Sequence, residues 1–266
     1  MTFQEKINKA NRILIKIGTS TITKNHKLNL NWIKQKTEEI ARLKNKGKEI
    51  IIISSGAVGA GMEVEKISER PKNALSLQLL SGKGQVRLMK IYTDLFKPYR
   101  IQTAQVLLTH YNFDTAEEVK NIKEVVNAYL KNHTIPIINT NDVVTKEELL
   151  LRSKNVFTDN DELAALVAEN LNVDLLVMLT DVDGLCTLDP RKNTCYELIP
   201  VVEQFTKEIE DMASKEGSIM GTGGMLSKIM TAKKVGKKGI LTIVANGKQK
   251  VQDILDNKVK RTLFLP

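Results

Sequence analysis

Short, unbroken apolar runs recur along this chain, separated by longer stretches with helical spacing. The runs are RILIKIG (12–18), EIIIIS (49–54), TAQVLLT (103–109), TIPIIN (134–139), DLLVMLT (174–180) and GILTIVA (239–245). A strand wetted on one face alternates polar and apolar residues, whereas one covered on both faces reads as a continuous apolar stretch. Four consecutive isoleucines at 50–53 therefore predict a sheet enclosed by helices. Between the runs, residues 31–46 space Ile33, Ile40 and Leu43 helically and stop at Gly47, and 73–97 stop before Pro98. Further helices are predicted at 114–131, 159–171 and 223–238, with a short one at 250–257. This β-α-β-α order predicts an α/β chain, a three-layer α/β/α sandwich with a mostly parallel central sheet. No repeat, linker or composition shift divides the 266 residues, so a single domain over 1–266 is expected, with a functional division near residue 172.

Composition narrows the function classes. Hydrophobic residues at 42% and charged residues at 27% are those of an ordinary globular chain. Aromatics at 5% are sparse for base-stacking platforms, which argues against a single-strand nucleic-acid binder, and no nucleic-acid partner is expected. Forty Lys+Arg against 31 Asp+Glu give +9, but the lysines are spread along the chain, so we read the excess as general lysine richness. The N-terminal MTFQEKINKANR lacks a leader-like apolar core, and no run approaches a membrane span, so a cytoplasmic protein without a membrane partner is expected. Cys186 and Cys195 have no metal-ligand spacing, and His26, His110 and His133 are far apart, so no protein-held metal is expected. A reduced cysteine pair is expected.

On a parallel sheet, ligands bind beyond the carboxyl ends of the strands, and the unusual residues of this chain fall there. Lys16 lies inside the first apolar run before Gly18-Thr19-Ser20: either it meets an anion, or it points outward from an edge strand. Ser54-Ser55-Gly56-Ala57-Val58-Gly59 follows the second run, a small-residue turn into a helix N-terminus that fits neither GxGxxG nor a Walker loop. Asn139-Thr140-Asn141-Asp142 follows TIPIIN. Thr158-Asp159-Asn160-Asp161-Glu162 opens a helix: Asp159 with Glu162 fits a capping box, and Asp161 is an acid more than a cap requires. Thr180-Asp181 ends DLLVMLT. Near the C-terminus, GTGGMLSK (221–228) sets bare backbone and Lys228 at a helix start, a phosphate cradle in physical terms. Two lysines, glycine-rich turns and strand-end acids, without a Ser-His-Asp or metal spacing, fit phosphoryl transfer.

The ordered set IKIGTS, ISSGAVGAG, LLSGKGQ, NTNDVV, TDNDELAAL, LTDVDGLCTLDPR and GTGGMLSK resembles the glutamate 5-kinases of the amino-acid kinase family, from about residue 12 to the C-terminus. The resemblance implies transfer of a phosphoryl group from ATP to the side-chain carboxylate of L-glutamate, the first step of proline biosynthesis. It implies Lys16 and Lys228 on either side of the transferring group, with Asp161 holding them. Ser55, Gly56, Ala57, Asp142 and Asn160 would bind glutamate. Lys16, Thr180, Asp181 and the stretch Thr222, Gly223, Gly224, Met225, Leu226, Ser227 and Lys228 would bind ATP, accompanied by Mg2+. It also implies a glutamate lobe over about 1–171 and a nucleotide lobe over 172–266, a dimer or tetramer, and glutamyl phosphate reductase as pathway partner.

This chain departs from the family pattern in several places. The RNA-binding-type C-terminal domain of many members is not expected. Thr140 stands for an acid, Thr158 for a glycine and Lys83 for an apolar residue, and 146–157 reads as longer and more basic than usual. Two other readings stand beside this one: a relative acting on a different carboxylate or phosphate, and a nucleic-acid-binding protein that keeps the fold without catalysis.

Overall fold

The computed structural model describes residues 2–25, 27–145, 159–214 and 224–266, the side chains of Asp159 and Ser214 excepted. Ten strands are described: β1 Arg12–Ile17, β2 Thr23–Lys24, β3 Lys27–Leu28, β4 Glu49–Ile53, β5 Gln102–Leu108, β6 Thr134–Thr140, β7 Leu175–Thr180, β8 Val201–Val202, β9 Leu241–Asn246 and β10 Arg261–Phe264. Eight form one sheet in the order β5-β6-β4-β1-β7-β9-β10-β8, and β2 with β3 forms a separate hairpin. All six expected strands are present within a residue or two of their predicted bounds. They run parallel, whereas β10 is antiparallel to β9 and parallel to β8. The two reversed strands make the sheet mostly, not wholly, parallel. They were not expected, since a four-residue RTLF and a two-residue VV carry no periodic signal.

β1 lies between β4 and β7, so strands from residues 49–140 lie on one side of it and strands from 175–264 on the other. Alternate residues of β1 face opposite layers. Ile13, Ile15 and Ile17 join the core beneath helices Leu30–Asn45 and Ala74–Phe96, together with Ile33, Ile40, Leu88 and Phe96. Leu14 joins the other core, beneath helices Ala116–Lys131, Asp159–Asn170 and Met225–Gly236, with Val126, Val167 and Ile229. By the same parity, Lys16 points into the second layer. β1 is central, which settles the choice left open for Lys16: it is not on an edge, and only 5% of it is exposed.

Glycine spacing fixes a second feature. The small-residue turn after β4 enters helix Ala57–Glu65, with Gly56 at φ +94° as its N-cap. The left-handed backbone favours glycine there, and a Cβ would also lie 3.0 Å from Ile22 Cγ2. Helix Ala74–Phe96 crosses this helix with almost no separation. A Cβ at Gly84 would lie 1.7 Å from Ala57 O, and one at Gly61 would lie 2.0 Å from Leu80 O. The two glycines of SGKGQ thus sit in mid-helix, despite a cost of about 1 kcal/mol each against alanine, and Gly84 is there because the neighbouring backbone occupies the space of a side chain. Lys83 between them is exposed and pairs with Glu65 at 2.7 Å.

Helices Phe3–Lys9, Thr19–Ile22 and Lys207–Ser214 were not expected. The helix expected over 250–257 is Val251–Leu255, and that over 223–238 is described over Met225–Gly236. Gly84→Ala has no room to relax without parting the two helices. Overpacking of this kind costs about 3 kcal/mol or more, which urea denaturation will show as a lowered midpoint with an unchanged slope.

Candidate active site

The three charged side chains singled out in the sequence meet at the carboxyl end of β1. Asp161 is the third residue of helix Asp159–Asn170, Lys228 the fourth of helix Met225–Gly236, and both helices pack on the layer that Lys16 faces. Lys16 Nζ is 2.6 Å from Asp161 Oδ1, and Lys228 Nζ is 3.4 Å from Asp161 Oδ2. Asp161 is fully buried, and Lys16 and Lys228 are 5% and 4% exposed. The Thr231 hydroxyl donates to the Asp161 carbonyl at 3.0 Å, tying the two helix starts together.

The charges of this trio are mutually dependent. Burial alone would push the Asp161 carboxyl up. The two ammonium groups, with hydrogen bonds from Lys16 and Ser227, override it and hold the carboxyl at about 2. Burial pushes the Lys16 ammonium below its ordinary value, which Asp161 opposes and Lys228 reinforces. The arrangement carries one anion against two cations, so it presents net positive charge to whatever lies above the sheet. An anion arriving there would complete the pairing.

A second group of polar side chains lies at the ends of β4 and β6. Asn160 Nδ2 donates to Ser55 Oγ at 2.7 Å and to the Ser54 carbonyl at 3.2 Å. Its Oδ1 is buried with no hydrogen-bond partner among the described residues, an acceptor suited to a ligand's ammonium group. Asp142 is buried and accepts from Ser81 Oγ and Thr140 Oγ1, both at 2.8 Å. Thr140, read from the resemblance as standing for an acid, is therefore a donor that steadies Asp142, and no second negative charge is added. Ser81 belongs to the helix that Gly84 seats against Ala57, so the glycine packing also sets the position of Asp142. Behind Ser55, Ser54 Oγ and Tyr92 Oη lie 3.0 Å apart, and burial pushes the Tyr92 phenol up to about 12.

On the other side of β1, the Thr180 hydroxyl donates to Asp181 Oδ1 at 3.1 Å. Arg191, gripped by Asp189 through two nitrogens at 2.9 and 3.0 Å, reaches Asp181 Oδ2 at 3.6 Å. Gly224 precedes helix Met225–Gly236 as an N-cap that has no side chain to cap it with. Met225, Leu226 and Ser227 form its first turn. Thr222 and Gly223 lie outside the described residues, as do Thr158 and the 146–157 stretch, and the Asp159 half of the expected capping box is likewise undescribed. Cys186 is buried and Cys195 exposed, and no disulfide joins them.

The structure thus brings Lys16, Asp161 and Lys228 into contact, joins Ser55 to Asn160, and sets Asp142 and Thr180–Asp181 at the same sheet edge. Ser81, Thr140 as a donor, Tyr92, Thr231 and Arg191 were not singled out as supports. A glycine pair inside a helix was the one signal that could have led to Ser81.

The sequence profile described as "Amino acid kinase family" matches residues 11–246. Glutamate 5-kinase of Caldanaerobacter subterraneus subsp. tengcongensis is 41% identical over 96% of this chain and 68% of its own length. That of Enterococcus faecalis is 40% identical over 98% of this chain and 97% of its own. This chain belongs to the amino acid kinase family. Within it, the identities place the chain among the glutamate 5-kinases. At the level of fold it is similar to carbamate kinase from Giardia lamblia bound to AMP-PNP, with a TM-score of 0.63, 17% identity, and 97% of this chain and 99% of that one covered. Isopentenyl phosphate kinase of T. acidophilum, in a product complex, gives 0.61 at 15% identity, over 95% and 99%.

The Asp161 carboxyl titrates lower in the folded chain than its ordinary 3.8. Between about pH 4 and pH 2 the unfolded state therefore binds the proton more readily. This group's contribution, about 2 kcal/mol, is complete above that window and lost as pH falls through it. Asp161→Asn should lack this acid-sensitive component and lose about 3–5 kcal/mol at neutral pH, since two buried ammonium groups lose their counter-ion. Urea midpoints at pH 7, 4 and 2.5 check both.

Proposed function

We propose that this chain transfers the γ-phosphoryl group of ATP to the side-chain carboxylate of L-glutamate, giving ADP and L-glutamyl 5-phosphate, the first step of proline biosynthesis. The observation that carries this is the buried Lys16–Asp161–Lys228 trio, with its net positive charge, directly between the Ser55–Asn160–Asp142 group and Thr180–Asp181. The 36–41% identity to glutamate 5-kinases supports the choice of acceptor.

In this reading a carboxylate attacks an anionic phosphate, so the first obstacle is repulsion between like charges. Lys16 and Lys228 offset it and meet the charge that spreads over the equatorial oxygens in the transition state. Asp161 positions both lysines and offsets their charge. No general base is required, because the glutamate side chain is ionised at neutral pH. Asn160 Oδ1 and Asp142 receive the α-ammonium group, Ser55 and the backbone at Gly56 and Ala57 bound the pocket, and Asn160 is itself fixed by Ser55. Thr180, Asp181, Lys16 and the stretch from Thr222 to Lys228 receive ATP, the helix start supplying N–H donors to its phosphates. Mg2+ would be held by phosphate oxygens and would neutralise them: among the described residues no three His, Cys, Asp or Glu side chains converge on a metal position, and magnesium is commonly carried in this way.

The reading divides the chain into a glutamate lobe, about 1–171, and a nucleotide lobe, 172–266, which the placement of strands on either side of β1 supports. Assembly as a dimer or tetramer is supported by Leu75, Leu79 and Val86, exposed along one side of helix Ala74–Phe96. Among the described residues no helix is long and apolar enough to cross a membrane, and a cytoplasmic setting with glutamyl phosphate reductase as consumer of the labile acyl phosphate fits this chemistry.

Purified protein should release ADP only when L-glutamate and Mg2+ are both present, measured by a coupled ADP assay; ATP turnover indifferent to glutamate would sink the acceptor assignment. Lys228→Ala should lower kcat at least about 100-fold, the scale for losing a preorganised charge at a transition state, while circular dichroism stays that of the parent. A near-parental kcat would remove Lys228 from the chemistry.

A further inference from the structure

The turn after β9, Asn246–Lys250, is fixed from two sides. On its inner side Gly247 N donates to the Thr180 carbonyl at 2.8 Å. Asn246 Nδ2 donates to Asp183 Oδ1 at 3.0 Å and to the Asp181 carbonyl at 3.4 Å. Gly247 is pressed so closely that a Cβ would lie 2.3 Å from Thr21 Cγ2. On its outer side, helix Leu30–Asn45 offers three residues at i, i+4 and i+7, hence on one face. Trp32 Nε1 donates to the Gly247 carbonyl at 2.7 Å. Lys36 Nζ donates to the Gln249 carbonyl at 2.5 Å and to Glu39 Oε2 at 2.8 Å. Glu39 Oε2 in turn accepts from Val251 N at 3.0 Å.

This cluster is costly for mere packing. Lys36 is 1% exposed, and a buried ammonium costs several kcal/mol unless it is paired and hydrogen-bonded. A leucine would seat the helix on the sheet equally well. What Lys36 and Trp32 add is a specific hold on two carbonyls of one turn. The location of that turn gives the hold a purpose. Strands β1, β7 and β9 are neighbours in that order, spaced about 4.8 Å apart. A ligand whose terminal phosphate meets Lys16 on β1, and which passes Thr180 at the end of β7, brings its nucleoside over the end of β9.

We propose that Asn246 and Gly247 form the nucleoside-facing wall of the ATP site, and that Trp32, Lys36 and Glu39 are positioning residues that hold this wall from behind. The proposal rests on the placement of ATP at Thr180 and Asp181 given above. Asn246 Oδ1 accepts from Lys248 N at 3.1 Å and keeps a second lone pair for a hydroxyl or amino group of a nucleoside, with no charge that would compete for the phosphates. None of these residues touches the reacting atoms, so they govern nucleotide affinity more than the chemical step.

The test uses ADP binding by calorimetry without glutamate, beside steady-state kinetics on the full chain. Asn246→Ala and Lys36→Met should each weaken ADP binding and raise the ATP KM by roughly tenfold, and Trp32→Phe, which removes the N–H donor and part of the ring, by at least roughly threefold, the scale of one buried hydrogen bond. The glutamate KM should stay within about twofold of the parent. Trp32 is the single tryptophan, so its emission should change saturably with ADP and not with glutamate alone. Parental ADP affinity in folded Asn246→Ala and Trp32→Phe would overturn the proposal, even if Lys36→Met failed to fold. A parent chain that binds ADP with the expected variant effects, yet does not phosphorylate glutamate, would uphold this wall and overturn the acceptor assignment. A parent chain that binds no ADP would overturn both.

Discussion

A carboxylate with no exposure to water, held between two ammonium groups, is the constraint on which the rest of this structure depends. None of the three charges could be buried alone. Lys16 needs an anion because it sits in the central strand, Asp161 needs two cations because it lies under the sheet edge, and Lys228 is brought in by the helix that Thr231 ties to Asp161. The alternation of β1 puts Lys16 on the layer from which both helices can reach it. Fold and charge pairing are therefore one problem: the strand order places the first lysine, and two helix starts converge on it.

Around this trio the chain uses two kinds of support. On the side proposed for glutamate, support is steric and neutral: Gly84 lets one helix backbone rest on another, Ser81 and Thr140 load Asp142 with donors, and Ser55 fixes Asn160. On the side proposed for the nucleotide it is polar and partly charged: Arg191 bridges Asp189 and Asp181, and Trp32 and Lys36 grip the turn after β9. The difference follows from the ligands proposed for each side. A small zwitterion calls for a close pocket of fixed shape, whereas a long polyanion calls for a line of well-held turns.

Much of this was legible in the sequence, for identifiable reasons. Strands buried on both faces advertise themselves as unbroken apolar runs, so β1, β4, β6, β7 and β9 could be read directly. The residues after them carried the site, because bare glycines, lysines and acids stand out against apolar strands. What could not be read was pairing. Whether Lys16 met an anion depended on β1 being central, which no local pattern states. β10 carries Arg261, a buried guanidinium that donates to Gln4, at the far end of the chain, and to Asn257. Ser81 and Thr231 look like any serine or threonine in a helix, and their partners are 61 and 70 residues away. The β2–β3 hairpin, with only two residues to a strand, is too short to show a periodicity.

The contact between Gly84 and Ala57 has a mechanical meaning as well. Where two helix backbones touch with no side chains between them, neither can slide or roll without collision, because no rotamer is available to absorb the movement. Helices Ala57–Glu65 and Ala74–Phe96 therefore form one stiff body that carries Gly56, Ala57 and Ser81. Any closing motion that accompanies ligand binding must leave this body whole and take its travel from other joints in the molecule.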